Sequence, residues 1–228
     1  MKSILVVAAE DFEFAGILGR AQKVERPGWT VRFSRIAMLN GMRLMLVANG
    51  PGPGLAGEAA DDVNRREEFD AVVSVGLCGA LDPRLALGEI FVATHVNDSE
   101  SLQPATAENY RRGRLVSIDR IVGTADEKAG LYSAGFKAVE MEAAALAGRA
   151  AQWGKPFYCV RAVSDTAMES FGLDLNQMRD GDGRFSKPRI VMQALKSPVR
   201  LIPELWRLNR NSGRAAKALG DFFANCSF

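Results

Sequence analysis

The sequence predicts an α/β fold in which helices flank a mixed β-sheet. A series of apolar runs has the length and composition of strands, and several runs are continuous rather than alternating, as in strands covered on both faces. Helical patterns lie between some of these runs. The close spacing of some runs along the chain favours a mixed sheet. The predicted strands span residues 4–9, 31–36, 44–48, 71–75, 90–95, 138–141 and 156–163.

Helices are predicted between some of these strands. Small and charged residues at helical spacing predict one at residues 55–68. An Ala-rich segment predicts another at residues 142–153, which Gly154 and Pro156 bring to an end. The segment 97–114 is polar and poorly patterned, so we expect an irregular crossover there.

The C-terminal part of the chain has its own pattern. Helices are predicted at residues 187–196, 201–210 and 212–223. They carry an apolar stripe (Leu201, Ile202, Leu205, Trp206 and Leu208) and a basic face (Arg200, Arg207, Arg210, Arg214 and Lys217). We interpret residues 1–228 as a single domain whose helical tail covers about residues 187–228.

The composition excludes several classes of protein. With 228 residues, 47% of them hydrophobic and 25% charged, the chain can bury a sizeable core. A net charge of +2 is too small to indicate a nucleic-acid partner. No apolar run is long enough for a transmembrane helix. The three scattered cysteines form no disulfide framework or metal motif, and the single histidine, His95, argues against a metal site. We therefore expect a cytoplasmic protein without a metal.

Two acidic motifs are the most informative part of the sequence. Residues 138–145 read A-V-E-M-E-A-A-A, and residues 158–167 read Y-C-V-R-A-V-S-D-T-A. Each brings a carboxylate to the end of a predicted strand, which is where open α/β sheets bind small molecules. We expect Glu142 and Asp165 to meet in one pocket. Glu140 is expected on the opposite side of its strand, in a structural role.

Such a pair of acids suits the cleavage of a purine from a ribose. Burial would raise the pKa of Asp165, so that it can protonate the departing base, and Ser164 would orient it. Glu142 can accept two hydrogen bonds from a sugar diol and stabilise a cationic ring, with Met141 as an apolar wall. The alternative is a helix-start acid at position 142 and a turn or capping residue at position 165.

These motifs resemble the nucleoside phosphorylase and nucleosidase superfamily. The segment V-V-S-V-G-L-C-G-A-L-D-P-R-L-A-L-G-E-I at residues 72–90 adds to the resemblance. It implies a three-layer α/β/α sandwich around a mixed, partly barrel-like sheet, assembled as a homo-oligomer, with a dimer favoured. It also implies that Met141 and Glu142 bind ribose and that Asp165 acts on the purine. Pro51 and Gly52 would line the far side of the sugar, or else form only a tight turn.

The resemblance leaves two acceptors for the sugar, phosphate and water. Family phosphorylases have an Arg and a hydroxyl residue where this chain has Ser74 and Leu77, although the amides of residues 76–79 can still bind an anion. Substrate contacts are expected from Leu77, Cys78 and Gly79. Family nucleosidases hold water with an N-terminal Glu, and the matching residue here is Glu13. The alternative interpretation of Glu13 is a solvated acid at a helix start.

The aromatic residue that the nucleosidases place over the base has no obvious counterpart in this sequence. Tyr132 and Phe136 are the candidates in the matching region.

The tail and the motif T-A-D-E-K-A-G at residues 124–130 resemble hopanoid-associated phosphorylases of bacteria. That resemblance implies release of adenine from an adenosyl-lipid, with phosphate as the likelier co-substrate and no other cofactor. The basic amphipathic tail would then touch a membrane peripherally; the alternative is that it docks on the sheet. A hydrolytic nucleosidase and a non-catalytic nucleoside- or lipid-binding protein are the competing functions.

Overall fold

The apolar runs of the chain become the central strands of one mixed sheet. The computed structural model describes residues 2–181 and 183–228. In chain order the strands are β1 (Ser3–Ala8), β2 (Gln22–Glu25), β3 (Phe33–Leu39), β4 (Met42–Ala48), β5 (Ala71–Ala80), β6 (Ile90–Val96), β7 (Ser99–Glu100), β8 (Ala105–Thr106), β9 (Arg111–Ser117), β10 (Ala138–Glu140), β11 (Phe157–Asp165) and β12 (Cys226–Ser227). The strands with continuous apolar runs, β1, β5 and β11, are almost wholly buried, whereas β2 is exposed at the sheet edge.

The strand order is β10-β9-β6-β11-β5-β1-β4-β3-β2. The central strand β5 is parallel to β1 and β11, whereas β3 is antiparallel to β4 and β6 is antiparallel to β11. The short strand β10 pairs with β9 and also, antiparallel, with the last residues of β5. Part of the sheet therefore closes on itself, and the predicted α/β fold with a mixed, partly barrel-like sheet is confirmed.

Helices cover both faces of this sheet. They are α1 (Ala15–Leu18), α2 (Pro53–Asn64), α3 (Ala125–Ser133), α4 (Ala143–Gln152), α5 (Lys187–Lys196) and α6 (Pro198–Phe223), with 3₁₀ turns at Asp11–Phe14 and Leu175–Met178. Ala56 and Ala60 of α2 and Leu146 of α4 pack in the apolar layer on one face. Leu219 and Phe223 of α6 pack in the layer on the other face. The sheet lies between these two layers, which is the three-layer arrangement expected.

The predicted division of the tail into helices at residues 201–210 and 212–223 is wrong, because α6 is continuous. Asn211 and Gly213 are weak helix formers, which explains the prediction of a break. Tertiary packing outweighs this preference: Asn211 is buried, and α6 approaches α1 so closely that a Cβ at Gly16 would lie 2.3 Å from the Ala216 carbonyl oxygen.

The two halves of α6 have different surroundings. The C-terminal half docks on the sheet through Leu219 and Phe222. Docking on the sheet was one of the two alternatives that we considered for the tail. In the N-terminal half, Ile202 and Trp206 of the predicted stripe are exposed, and Leu201 is buried. Among residues 2–181 and 183–228, no helix is both long and apolar enough to cross a membrane.

The expectation of an irregular crossover at residues 97–114 is also wrong in part. This segment contains β7, β8 and the start of β9. The first residues of β9, Arg111 and Arg112, are charged and exposed, and the apolar residues Leu115 and Val116 follow only later in the strand. The strand forms because it pairs with β6 and β10 on either side, a long-range contribution that local patterning does not reveal.

Candidate active site

A cavity of about 290 Å³ lies over the ends of β1, β10 and β11 and the last residues of β5. Its lining includes the predicted site residues Glu13, Pro51, Leu77, Cys78, Gly79, Met141, Glu142, Ser164 and Asp165. Glu142 and Asp165 therefore share one cavity, as expected. They do not follow adjacent strands, however, because β5 lies between β10 and β11 and pairs with both.

A buried ion pair lies beside the cavity, which Glu140 of this pair lines. An Nη2 proton of Arg161 is donated to Oε2 of Glu140 over 2.5 Å, and Nη2 also contacts Oγ of Ser74 at 2.6 Å. The Glu140 carboxylate accepts further hydrogen bonds from the amides of Glu142 and Ala143, so it caps the N-terminus of α4. Burial opposes ionisation of Glu140, but the Arg161 charge and these hydrogen bonds outweigh it and hold its pKa below the usual value.

Glu142 lies beside this pair and has the opposite electrostatic character. Burial, followed by the negative charge of Glu140, raises the pKa of Glu142 to about 8. Its Oε1 accepts a hydrogen bond of 2.7 Å from the Gly52 amide, so Gly52 acts through its backbone while Pro51 lines the cavity. Gly52 has a φ of +99°, and a Cβ there would lie 2.7 Å from Nη2 of Arg179. Glycine is therefore required at this close approach.

Asp165 ends β11 with each carboxylate oxygen bonded to a different side chain. Oδ1 accepts a hydrogen bond from Oγ of Ser164 over 2.8 Å, the orienting contact that the sequence predicted. Oδ2 lies 2.5 Å from Nζ of Lys128, which the sequence did not predict. Burial raises the pKa of Asp165, and the Lys128 charge opposes this rise without cancelling it.

Glu13 is a buried residue of the cavity rather than a solvated helix-start acid. Its Oε1 accepts a hydrogen bond from the Leu77 amide over 2.9 Å, and its Oε2 accepts one from the Glu10 amide over 2.8 Å. Burial raises its pKa to about 7. A Cβ at Gly76 would lie 2.7 Å from Oε1, so the glycine permits this approach. The Leu77 amide, which we expected to be available for an anion, is bonded to a carboxylate instead.

The aromatic candidates from the sequence do not line the cavity. Tyr132 and Phe136 pack against an apolar cluster whose members Val122 and Val139 line the cavity, but they do not line it themselves. The cavity is lined instead by Phe12, Phe171 and Phe185, which come from loops and a 3₁₀ turn. No periodic pattern distinguishes these residues, so sequence analysis had no signal that could find them.

Other functional residues were also missed, although some signal was present. Arg161 lies inside the motif V-R-A-V-S-D, where a charged residue in an apolar strand indicates a buried partner. Lys128 lies inside T-A-D-E-K-A-G, but nothing local shows that its side chain turns inward. In the described part of the chain, no group of three or more His, Cys, Asp or Glu side chains is arranged to hold a metal ion.

Comparison with known proteins points to one family. The family model of the phosphorylase superfamily matches residues 98–184. The chain is 26% identical over 161 residues to the 5′-methylthioadenosine/S-adenosylhomocysteine nucleosidase of Staphylococcus carnosus. The aligned residues make up 56% of this chain and 70% of the relative. The nucleosidase of the same name from Staphylococcus haemolyticus is 25% identical over 199 residues, with 73% of this chain and 86% of the relative covered.

Solved structures share the fold over almost the whole chain. The S. pneumoniae nucleosidase of this name, bound to a transition-state inhibitor, superimposes with a TM-score of 0.71 at 18% identity and covers 98% of this chain and 99% of its own. A futalosine hydrolase mutant of Helicobacter pylori has a TM-score of 0.65 at 16% identity and covers 97% and 96%. Residues 98–184 of the chain thus match the phosphorylase superfamily, and nearly the whole chain shares the fold of these nucleosidases.

Proposed function

We propose that this enzyme hydrolyses the N-glycosidic bond of an adenine nucleoside that carries an apolar group at its 5′ position. The observation that supports this proposal most directly is the presence of three carboxyl groups with raised pKa values in one cavity, those of the buried Glu13 and Asp165 and the partly buried Glu142. The reaction needs a base for water, an acceptor for the sugar hydroxyls and an acid for the purine.

Each of these groups has chemistry that matches one task. Asp165 gives its proton to a ring nitrogen of the purine as the bond to C1′ breaks and its electron pair moves to the base. Glu142 accepts hydrogen bonds from the ribose diol, and its ionised form stabilises the positive charge that grows on the sugar. Glu13 takes the proton of the water that attacks C1′. A base with a pKa of about 7 is well suited to this step at neutral pH.

The charges in the cavity favour water over phosphate, the acceptor that the tail resemblance implied. Glu10, Glu13, Glu140, Glu142 and Asp165 line the cavity. Among the described lining residues, Arg120 is the one Arg or Lys, and it lies 2.5 Å from Glu127. The buried Arg161 is already paired with Glu140. A multiply charged phosphate would therefore meet carboxyl groups and cations that are already paired with acids, whereas a neutral water needs no cation to hold it.

An apolar 5′ substituent is supported by the rest of the lining. Apolar side chains come from the 3₁₀ turns, the loop after β11 and α6: Phe12, Phe171, Leu175, Phe185 and Leu208. The named relatives act on 5′-methylthioadenosine and S-adenosylhomocysteine, which carry thioether groups at this position. The tail resemblance instead favours a lipid chain. The methylthio group and a lipid chain are both apolar, and the substrate panel below separates them.

An outer surface on the tail supports a membrane contact for a lipid-linked substrate. Val199, Ile202 and Trp206 are 91%, 50% and 66% exposed on α6, and Met192 is 61% exposed on α5. Exposed arginines such as Arg200 lie on the same helices. Apolar side chains beside basic ones complement an anionic lipid surface, so we propose that this surface rests on one.

Base release measured with and without phosphate tests the reaction. The panel contains adenosine, 5′-methylthioadenosine and 5′-deoxy-5′-alkyladenosines of increasing chain length. We expect free adenine and free sugar without phosphate, and a rate that phosphate does not raise. Formation of a sugar 1-phosphate, or a strict need for phosphate, would overturn hydrolysis in favour of phosphorolysis. A preference that increases with alkyl length would favour the lipid substrate over the thioether.

Variants of the acids test the assigned roles. Asp165→Asn and Glu13→Gln should each lower kcat by roughly 10²–10⁴-fold, the usual worth of a positioned acid or base. Binding of adenine, measured calorimetrically, should persist in Glu13→Gln. Unchanged turnover in Asp165→Asn would rule out the mechanism and favour a non-catalytic binding protein.

Sedimentation with vesicles of phosphatidylglycerol and phosphatidylcholine tests the membrane contact. Trp206→Ser should weaken binding, and Leu102→Ser, at an apolar residue 42% exposed on a different part of the molecule, should not. Concentration-dependent dimerisation that Trp206→Ser abolishes, without vesicle binding by the unaltered protein, would instead identify this surface as a contact between two copies of the chain.

A further inference from the structure

Lys128 is a fully buried lysine next to the proposed acid, and the reaction scheme above gives it no role. It lies in α3, whose N-terminus is capped by Oγ1 of Thr124 through the Glu127 amide. Its side chain is 0% exposed, and Nζ lies 2.5 Å from Oδ2 of Asp165. The ring of Phe171, which lines the cavity, lies 5.3 Å from Nζ.

The hydrogen bonds of Lys128 identify it as an ammonium ion. Besides Asp165, Nζ contacts the carbonyl oxygens of Thr166 at 2.8 Å and Glu169 at 3.2 Å. An ammonium group has three protons to donate, and these three acceptors use all of them. Burying such a charge costs several kcal/mol, so the fold bears this cost only where a partner offsets it.

Few other charges act on Asp165. Glu169 adds a negative charge from the loop after β11, but Arg207 of α6 is paired with its carboxylate. Cys78 of β5 lies close by as a buried thiol whose pKa burial raises, so it stays uncharged. Lys128 is therefore the positive charge that bears directly on the carboxyl group of Asp165.

Ser164 lets the carboxyl group exist with or without its proton. Oγ of Ser164 lies 2.8 Å from Oδ1 of Asp165 and 3.1 Å from the carbonyl oxygen of Cys78. A hydroxyl has one proton, so it can donate to only one of these acceptors at a time. When Asp165 is protonated on Oδ1, Ser164 Oγ accepts a hydrogen bond from this O–H group and donates its own proton to the Cys78 carbonyl oxygen. When Asp165 is ionised, Ser164 donates to Oδ1.

We propose that Lys128 is a positioning residue that holds Oδ2 of Asp165 and offsets the negative charge that appears on this carboxyl group when it protonates the purine. This inference rests on the proposed function. In the step itself, the O–H bond at Oδ1 breaks, an N–H bond forms on the base, and the electron pair of the C1′–N bond passes to the base. Lys128 keeps its three protons throughout.

The pH dependence of kcat/KM in Lys128→Met tests this role. The alkaline limb of this profile, where activity is lost at high pH, reports ionisation of the acid in the free enzyme. Removing the nearby cation disfavours the carboxylate, so this limb should move to higher pH by about one unit or more. kcat should fall by roughly 10-fold or more, since the carboxylate left behind is no longer compensated. Lys128→Arg retains the charge and should keep the limb close to its original position.

Two further variants separate positioning from a purely structural role. Thr124→Ala removes the cap of α3 without touching the charge, and should leave the limb unchanged. Lys128→Gln keeps hydrogen-bond donors for the carbonyl groups of Thr166 and Glu169. It replaces Lys128→Met as the test if the Met variant does not fold. If the unaltered enzyme releases base but the alkaline limb does not move in Lys128→Met or Lys128→Gln, the inference about Lys128 is overturned. Absence of base release from the unaltered enzyme would instead overturn the proposed function.

Discussion

Two buried ion pairs border the same cavity, and they hold their carboxyl groups in opposite ways. Glu140–Arg161 and Asp165–Lys128 each have an N–O distance of 2.5 Å. The pKa of Glu140 is nevertheless held below its usual value, whereas that of Asp165 is raised. Distance to the cation is therefore not what distinguishes them.

The difference lies in the other groups around each carboxylate. Glu140 accepts hydrogen bonds from two backbone amides at the start of α4 as well as from Arg161. Asp165 accepts one from Ser164 and is near the negative charge of Glu169. The Arg161 charge and the backbone amides together favour the ionised form of Glu140, whereas at Asp165 burial outweighs the Lys128 charge, so Asp165 remains able to hold a proton.

The largest expected effect comes from breaking the fixed pair. Arg161→Met leaves Glu140 buried without its cation and should lower the free energy of unfolding by about 3–5 kcal/mol, measured by urea denaturation. Lys128→Met should cost roughly half of this or less, because Asp165 can take up a proton. Arg149→Met, which breaks a half-exposed pair with Asp61, is the control and should cost about 1 kcal/mol. Equal losses at Arg161 and Lys128 would remove the distinction between the pairs.

The dependence of stability on pH should sharpen the comparison. Glu13 has a pKa of about 7 in the folded state against a usual 4.5, so the folded state binds more protons than the unfolded state between these values. Stability should therefore fall as pH rises through this range, by about 3 kcal/mol from Glu13 alone. Thermal unfolding across pH 4.5–8 should show a smaller fall in Glu13→Gln. Glu140→Gln should also reduce the fall, because it removes the negative charge that helps to raise the pKa of Glu142.

A smaller effect is expected from displacing Asp165 without altering its charge. A Cβ at Gly79 would lie 3.0 Å from Oδ2 of Asp165 and 3.3 Å from Cγ1 of Val139. Gly79→Ala should therefore push the carboxyl group away from Lys128 and reduce kcat by about 10-fold, since sub-ångström misplacement of a catalytic group is costly. Gly148→Ala, in α4 with nothing within 4 Å, should leave turnover unchanged. A fully active Gly79→Ala would mean that the position of Asp165 tolerates movement.

The smallest effect should come from weakening the fixed pair without breaking it. Ser74→Ala removes the hydroxyl that lies 2.6 Å from Nη2 of Arg161 and leaves the contact with Glu140 intact. Urea denaturation should show a loss of about 1.5 kcal/mol, near the lower end of the range for a hydrogen bond to a charged group. A loss as large as that of Arg161→Met would mean that the hydroxyl, rather than Glu140, stabilises the guanidinium.

The strands and the main carboxylates could be predicted because their signals are local. Continuous apolar runs identified β1, β5 and β11, and the acids at the ends of β10 and β11 were assigned to a pocket. The position of Glu140 as a cap of α4 was not predicted, because it depends on how β10 turns into the helix. The continuity of α6 was missed for the same kind of reason, since Asn211 is a weak helix former that only packing against the body holds in place.

Sequence by itself determined the fold class and the carboxylates that meet in the cavity, because apolar periodicity and the residues at strand ends are local features of the chain. Only the tertiary structure decided how each carboxyl group is protonated. That depends on partners distant in sequence, such as Lys128 for Asp165 and the Leu77 amide for Glu13. Burial and hydrogen bonding set a pKa through the whole three-dimensional environment, which no local pattern of residues contains.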